Sequence, residues 1–188
     1  MPLTIHPLTP ELWPALEELF GKGGASNGCW CMYWRIGSEY HKRPRDQNRR
    51  AFRAIVKNGP PPGLIAFDGE RAAGWCQLTA RDDLPWLHCA RFFERVDDVP
   101  VWAITCFYVR RGHRRKGVME ALVAAALRAA RRAHAPALEA YPVETTREGC
   151  TTNVFTGTVA VFRRAGFRTI ARRQPCRPIM RHDLKGIS

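Results

Sequence analysis

The pattern of apolar and polar positions predicts alternating strands and helices along the chain. LTIHPLT, residues 3–9, indicates a short strand, and the next segment predicts a helix from Pro10 to Phe20, because proline is tolerated in a first turn. A second helix is expected from Asp46, which can cap it, to Asn58, where NGPPPG breaks the chain. Two apolar runs then turn at Asp68-Gly69, a dipeptide that strongly favours a hairpin.

A continuous apolar segment marks the centre of the predicted sheet. VWAITCFYV, residues 101–109, is rich in β-branched and aromatic residues, so we expect a strand buried on both faces. Apolar positions then recur at helical spacing from Val118 to Ala129, and Pro136 ends that helix before another strand, ALEAYPV. Strand, basic loop, helix and strand form a βαβ-type unit, whose loop lies where α/β folds bind ligands.

Length and charge restrict the class of protein. The chain has 188 residues, 45% of them hydrophobic, which predicts one domain over residues 1–188. The formal net charge of +13 indicates an anionic partner, which can be nucleic acid, acidic lipid or a phosphorylated small molecule.

The remaining composition bears on location and metals. The amino terminus lacks the features of a secretory signal, and the run ALVAAAL is too short to cross a bilayer, so we expect a cytoplasmic protein with no membrane partner. Seven cysteines without an export signal favour reduced thiols. Cys29 and Cys31 with His41 form only a weak zinc pattern, so no metal is expected.

The basic loop YVRRGHRRKGVME, residues 108–120, is the main candidate for a binding site. A helix amino terminus has unpaired N–H groups and carries roughly half a positive elementary charge, so a loop that leads into it favours phosphate. Nucleic acid does not need this geometry. No recognised nucleic-acid-binding motif accompanies the loop, and the arginines are dispersed over several elements.

Two segments carry a resemblance to a known family. R-R-K-G-V-M, residues 114–119, resembles the R/Q-x-x-G-x-G/A loop that binds acyl-CoA in the GNAT superfamily of N-acyltransferases. VAVFRRAGFRTIARR, residues 159–173, resembles the later helix of that family, with its Tyr-x-x-x-Gly-Phe pattern, and the strand after it. The resemblance covers nearly the whole chain. It implies the GNAT fold, in which a central mixed, mostly antiparallel sheet is flanked by helices and splayed central strands bind acyl-CoA.

The resemblance also implies how acetyl-CoA is held. Backbone N–H groups of the loop would bind the pyrophosphate, with Gly117 allowing close approach, and basic side chains would add charge-assisted contacts. The pantetheine arm would pair with the strand before the loop, where an amide would polarise the thioester carbonyl. The residues implied in binding are Phe107, Tyr108, Val109, Arg114, Arg115, Lys116, Gly117, Val118, Met119, Asn153 and Phe162.

Three positions depart from the family pattern. Met119 stands where the pattern has a small residue, and Phe162 stands where many members have a tyrosine that protonates the leaving thiolate. The asparagine that often contacts CoA falls on Phe155, although neighbouring Asn153 can reach the same region. CoA thiolate is a good leaving group, so catalysis does not require the tyrosine, and Tyr108 is the first candidate for a substitute acid.

Amine acetylation also needs a proton acceptor, because a primary ammonium with a pKa near 10.4 is mostly protonated at pH 7. Glu144, at the end of the strand EAYPVE beside the expected splay, is the first candidate base. His88 and Glu94, on the loop before the central strand, follow. A solvated surface role is the alternative for each of these side chains.

The long connection that contains NGCWCMYWR, residues 27–35, is the candidate acceptor site. In the family this region covers the acceptor side of the cleft. Trp30, Tyr33 and Trp34 would supply aromatic walls and Arg35 a cation, which suits an aromatic or amphipathic amine that also carries an anionic group. The alternative is that Trp30 and Trp34 form one face of a short helix in the core.

These features predict an acetyl-CoA-dependent N-acetyltransferase that acts on a small-molecule amine by direct attack in a ternary complex. A GNAT-fold sensor that binds acyl-CoA without turnover is the first alternative, because the tyrosine is missing. A nucleic-acid-binding protein or a tRNA-directed acetyltransferase ranks lower. Nucleic acid is therefore disfavoured as a partner, and a homodimer is allowed.

Overall fold

The structure, a computed structural model, describes residues 2–150 and 154–184. Over these ranges it contains seven strands: β1 (Thr4–Pro7), β2 (Gly63–Asp68), β3 (Arg71–Ala80), β4 (Trp102–Val109), β5 (Ala137–Ala140), β6 (Arg168–Gln174) and β7 (Arg177–Asp183). The α-helices are α1 (Trp13–Phe20), α2 (Tyr33–Ile36), α3 (Glu39–Lys42), α4 (Arg45–Asn58), α5 (Trp86–Cys89), α6 (Val118–Arg132) and α7 (Val159–Arg164). No helix in the described ranges is both long and apolar enough to span a bilayer.

The predicted elements are present, with small shifts at their ends. A 3₁₀ turn at Pro10–Leu12 leads into α1, as the proline predicts. Helix α4 begins one residue before Asp46, after Pro44, so Asp46 lies in the first turn. There its carboxylate faces the positive end of the helix dipole. The β2–β3 turn is Gly69-Glu70, one residue later than predicted, and Gly69 has a φ of 59°.

The seven strands form one mixed sheet in the order β1-β2-β3-β4-β5-β7-β6. Strands β4 and β5 are parallel, and all the other neighbouring pairs are antiparallel. Helix α6 connects the parallel pair, which confirms the βαβ unit. The fold class predicted from the sequence, a mostly antiparallel sheet flanked by helices, is also confirmed.

Strands β4 and β5 separate in the middle of the sheet. On β4, Thr105 forms a bulge, because Gln77 pairs with Cys106 and the next residue of β3 pairs with Ile104. Pairing between β4 and β5 covers only Trp102–Ile104. After β5 the chain turns away, and Val143 forms a bridge with Thr158 instead. The half of β4 from Cys106 to Val109 therefore keeps β3 on one edge and has no β5 partner on the other.

Tight packing sets the position of α6. Val118 and Leu122 are buried against the sheet, where a Cβ built on Gly74 would lie 2.6 Å from a methyl carbon of Val118. Glycine at position 74 therefore allows the first turn of α6 to lie close to β3. The opposite face of the sheet carries α1 and α4 over an aromatic cluster that includes Trp13, Trp30 and Trp75.

The expectation that all cysteines are reduced is wrong for one pair. Cys150 and Cys176 form a disulfide across a sequence separation of 26 residues. The loop after β5 and the β6–β7 turn lie side by side, because the Glu144 N–H donates to the Cys176 carbonyl at 2.9 Å. Folding thus brings the two thiols together, which spacing along the sequence does not reveal. Cys29, Cys31, Cys76, Cys89 and Cys106 are free thiols.

Candidate active site

The amino terminus of α6 presents free backbone donors. Gly117 caps the helix with a φ of 78°, and Arg115 has a φ of 61°, so the loop has two left-handed positions. The first helical hydrogen bond runs from the Ala121 N–H to the Gly117 carbonyl at 3.0 Å. The N–H groups of Val118, Met119 and Glu120 precede this bond and have no partner inside the helix. Such a terminus favours an anion.

Several contacts anchor the preceding loop to the sheet. Arg110 donates its backbone N–H to the Ala73 carbonyl at 2.9 Å and its Nε to the Ala72 carbonyl at 2.7 Å. Nε2 of His113 lies 3.2 Å from the carboxylate of Asp68. The anchored loop leaves the cationic residues 114–116 exposed to solvent.

A cavity of about 540 Å³ lies between this loop and the free half of β4. We call it the loop cavity, and its lining includes Val109, Arg114, Arg115, Gly117 and Met119. Of the other residues implied in binding acetyl-CoA, Phe107, Tyr108 and Val118 also line it. The side chain of Lys116 is exposed outside the lining, Phe162 is fully buried, and Asn153 lies outside the described residues.

The loop cavity fits a phosphorylated ligand. Nδ1 of His113, a lining residue, is buried and has no hydrogen-bond partner in the described ranges. The free N–H groups of α6 and the guanidinium groups of Arg114 and Arg115 supply the donors, and Glu120 is the one carboxylate in the described lining. The unpaired half of β4 provides a backbone edge beside them. Donors at one end and a strand edge at the other suit the pyrophosphate and pantetheine arm of CoA.

A second cavity, of about 460 Å³, adjoins the same half of β4. We call it the aromatic cavity, and its lining includes Tyr33, Trp34, Tyr40, Phe93 and Gln77. Its volume is within the range usual for small-molecule sites, roughly 300–1,000 Å³. The described residues contain no cluster of three side chains that could hold a metal ion.

The two cavities share a wall. Ala25, Ser26, Phe107, Tyr108 and Phe155 line both of them. Tyr108 is half-buried, and its ring packs edge-on against Phe20 at 5.5 Å between centroids. A ligand in the loop cavity and a ligand in the aromatic cavity would meet at this shared wall.

The connection before α2 is held in an unusual backbone conformation. Ala25, Asn27, Trp30 and Cys31 all have positive φ values, between 46° and 67°. Non-glycine residues in this region cost of order 1–3 kcal/mol each, and such residues concentrate at functional sites. The buried side chain of Asn48 holds the connection by donating to the carbonyls of Gly28 at 2.9 Å and Tyr40 at 2.8 Å.

The four residues predicted for the acceptor site separate into two groups. Tyr33 and Trp34 line the aromatic cavity. Trp34 is also 4% exposed and donates its indole N–H to the Thr105 carbonyl at 3.1 Å, so it is both a wall and a core residue. Trp30 packs among Trp13 and Phe20, before α2 begins, so the helix face predicted for Trp30 and Trp34 does not form.

Arg35 points away from the aromatic cavity. It donates to the Asp83 carbonyl at 3.0 Å and lines a different surface groove, beside the carboxyl end of α4. Burial lowers the pKa of Arg35. In a helix of 3.6 residues per turn, adjacent residues project about 100° apart, so Arg35 and Trp34 project in different directions.

The candidate catalytic residues also differ in position. Tyr108 lies in the shared wall. Glu144 is 9% exposed, accepts a hydrogen bond from Thr146 at 3.0 Å and pairs with Arg172 at 3.3 Å. It is not among the described residues that line either cavity. His88 and Glu94 are exposed and also lie outside the two linings.

Phe162 lies in the core beneath the loop cavity. Its ring contacts Phe107 and Phe167, with centroid separations of 6.0 and 5.0 Å. Because it lines neither cavity in the described structure, its predicted contact with acetyl-CoA stays a prediction.

The polar lining residues of the aromatic cavity that were not predicted include Gln77, Gln174 and Arg177. Gln77 is fully buried on β3, while Gln174 and Arg177 flank the β6–β7 turn. Burial lowers the pKa of Arg177. No local sequence signal marks these positions, because β3 and the β6–β7 hairpin, which are distant in sequence, bring them together.

Three thiols line the same cavity: Cys29, Cys31 and Cys106. Burial raises the pKa of Cys29 to about 11. The pKa of Cys31 is also raised well above its ordinary value, first through its contact with Cys106 and then through burial. At neutral pH, Cys29 and Cys31 are therefore protonated, and a thiol is a much weaker nucleophile than a thiolate.

Comparisons with known proteins agree with this fold. The model of the acetyltransferase (GNAT) family matches residues 28–167. The paiA N-acetyltransferase of Thermoplasma acidophilum, solved with coenzyme A, is 13% identical, with 97% of this chain and 99% of that chain covered and a TM-score of 0.55. The yncA protein of Salmonella typhimurium, solved with acetyl-CoA, is 14% identical, with 100% of this chain and 97% of that chain covered and a TM-score of 0.57.

A GCN5-related N-acetyltransferase from Kribbella flavida is 18% identical, with 97% of this chain and 98% of that chain covered and a TM-score of 0.57. At such identities the solved structures establish the shared fold. The comparison with curated protein sequences gives no match.

Proposed function

This chain belongs to the GNAT acetyltransferase family, since the family model covers most of it, and on that premise we propose that it acetylates the amine of a small molecule with acetyl-CoA. The loop cavity takes acetyl-CoA, and the aromatic cavity takes the acceptor. The observation that carries the proposal is the wall that the two cavities share.

The loop cavity supplies what acetyl-CoA requires. Free N–H groups at the start of α6 bind the pyrophosphate, and Arg114 and Arg115 neutralise its charge. The unpaired edge of β4 from Cys106 to Val109 holds the pantetheine arm, and a backbone N–H there polarises the thioester carbonyl. Acetyl-CoA itself supplies an activated acyl group. Two relatives of the same fold were solved with CoA or acetyl-CoA, which supports this choice.

The shared wall supports direct transfer in a ternary complex. An amine in the aromatic cavity approaches the wall from one side while the thioester lies on the other. Holding both reactants at one wall lowers the entropic cost of their meeting. The raised pKa values of Cys29 and Cys31 keep these thiols from competing with the amine for the acetyl group.

Tyr108 is the residue we assign to proton donation toward the leaving thiolate. It lies in the shared wall and carries the hydroxyl that Phe162 lacks. Glu144 is the candidate base, and it would act through water because Thr146 and Arg172 engage its carboxylate. This base assignment stays a prediction, since the partners of Glu144 also suit a structural role.

Turnover with a panel of amines tests the function. We expect acetyl-CoA to release free thiol steadily when a true acceptor is present, with the N-acetyl product identified by mass spectrometry. Reactions without acceptor give the hydrolytic background. Tight, salt-resistant binding of acetyl-CoA without turnover of any amine would favour the sensor, the function suggested by Phe162.

A further inference from the structure

The aromatic cavity has an unusual charge balance for a site that binds an amine. Its described lining contains Arg177 and His41 but no aspartate or glutamate. An acceptor with extra positive charges would lose its hydration in this cavity and gain no ion pair with the described lining, which is unfavourable. The lining therefore disfavours polyamines and other polycationic acceptors.

Arg177 supplies a cation at the inner side of this cavity. It begins β7, and one of its Nη atoms donates to the buried hydroxyl of Thr156 at 2.8 Å, which fixes the direction of the side chain. It is partly buried, and burial lowers its pKa. An arginine that is partly removed from water gains more from a bound anion than an exposed one does. Its planar guanidinium also matches the geometry of a carboxylate.

Gln77 adds a second, independent observation. This side chain is fully buried, and its Oε1 accepts a hydrogen bond from the Thr105 hydroxyl at 3.1 Å. Its Nε2 has no hydrogen-bond partner in the described structure, although Gln77 lines the aromatic cavity. Leaving a buried donor unpaired is unfavourable, so a ligand that accepts from it is favoured.

We infer that the acceptor is an amine that also carries a carboxylate, and that Arg177 and Gln77 select it by donating to that carboxylate. This inference rests on the proposed function and adds the class of its acceptor. The rings of Tyr33, Trp34, Tyr40 and Phe93 also line the cavity. We therefore expect the part of the acceptor between its amine and its carboxylate to be aromatic or apolar.

Matched pairs of amines test the inference. Each pair differs only in the carboxylate: phenylalanine and 2-phenylethylamine, tryptophan and tryptamine, 4-aminobenzoate and aniline. We measure dissociation constants by calorimetry with CoA present, and kcat/KM by thiol release from acetyl-CoA. In at least one pair, the carboxylated member is expected to bind about 10-fold tighter or more, as one charge-assisted hydrogen bond provides.

Variants assign the preference to the residues. Arg177→Gln removes the cation and should abolish the preference, whereas Arg177→Lys should retain part of it. Arg168→Gln is the matched control, because it removes the same charge from β6 at a side chain that is 70% exposed. Gln77→Leu is a second test that leaves Arg177 intact, and it should reduce the preference. Melting temperatures establish that each variant is folded.

The outcomes separate the inference from the function. Equal binding of both members in every pair, binding of neither member, or a preference that Arg177→Gln leaves unchanged would overturn the acceptor class. In those cases, turnover of a carboxylate-free amine from the general panel would still support the proposed acetyltransferase activity. If acetyl-CoA binds and no amine of any class is turned over, the proposed function itself fails.

Discussion

The loop cavity and the aromatic cavity share one wall but are built by different means. The loop cavity takes most of its donors from consecutive residues, Arg114 to Glu120, and many of these donors are backbone N–H groups. The aromatic cavity takes side chains from distant parts of the chain, such as Tyr33, Gln77 and Arg177. A site built from backbone N–H groups keeps its ligand when side chains change. A site built from side chains can change its ligand preference when one of them is substituted.

The largest effect is expected from Gly117→Val. A β-branched residue at a φ of 78° is strained, so the loop must change conformation and the N–H groups after it lose their alignment. Loss of two or three contacts to phosphate, at about 1.5–3 kcal/mol each, should weaken acetyl-CoA binding by about 10²-fold or more. Calorimetry measures this change directly.

Gly112→Val is the matched control for this experiment. Gly112 lies in the same loop, has no positive φ, and a Cβ built there meets no atom within 4 Å. A Cβ on Gly117 also meets no atom within that distance, so the two variants differ in backbone strain and not in crowding. Unchanged affinity in Gly117→Val, or equal losses in both variants, would contradict the backbone description of the loop cavity.

Substitutions at Trp34 and Tyr33 test which aromatic residues of the aromatic cavity stabilise the fold and which contact the acceptor. Trp34→Ala should lower the free energy of unfolding by about 3–5 kcal/mol, because it empties a buried site. It also leaves the Thr105 carbonyl at the β4 bulge without its indole donor. Tyr33→Ala, at a half-buried position, should raise KM for the acceptor with little change in stability or in KM for acetyl-CoA.

Thermal unfolding and steady-state kinetics on the two variants check this prediction. A Trp34→Ala protein that melts like the wild type would show that Trp34 is only a wall. A Tyr33→Ala protein with normal acceptor kinetics would remove Tyr33 from the acceptor site.

A smaller effect is expected at the candidate acid and base. Tyr108→Phe should lower kcat by about 10²-fold, because the thiolate then leaves without its proton donor. Glu144→Gln should lower kcat by less than Tyr108→Phe does, because its carboxylate is paired with Arg172 outside the cavities and would act only through water. A larger loss in Glu144→Gln than in Tyr108→Phe would show that proton removal from the amine depends on the protein more than protonation of the thiolate does.

The fold and the loop cavity could be predicted from the sequence because their signals are local. The buried run 101–109, the glycine of the loop and the face of α6 each lie within a short window. These residues fix the strand, the helix terminus and therefore the anion site. The disulfide could not be predicted, because Cys150 and Cys176 meet only when the β6–β7 turn lies beside the loop after β5.

The aromatic cavity could be predicted only in part for the same reason. The sequence indicated aromatic walls and a cation, and Tyr33 and Trp34 do line the cavity. The cation that the structure places in the lining is Arg177 rather than Arg35, because α2 directs Arg35 toward Asp83. The position of an arginine relative to a cavity depends on pairing between strands that are far apart in the chain. A single sequence does not reveal that pairing.

The wall shared by the two cavities also ties their binding equilibria together. Phe107, Tyr108 and Phe155 belong to both linings, so any shift of these side chains that favours one ligand changes the energy of the other. By thermodynamic reciprocity, the factor by which acetyl-CoA changes acceptor affinity equals the factor by which the acceptor changes acetyl-CoA affinity. A substitution at Phe155 therefore alters cooperativity between the two substrates, even where neither intrinsic affinity changes.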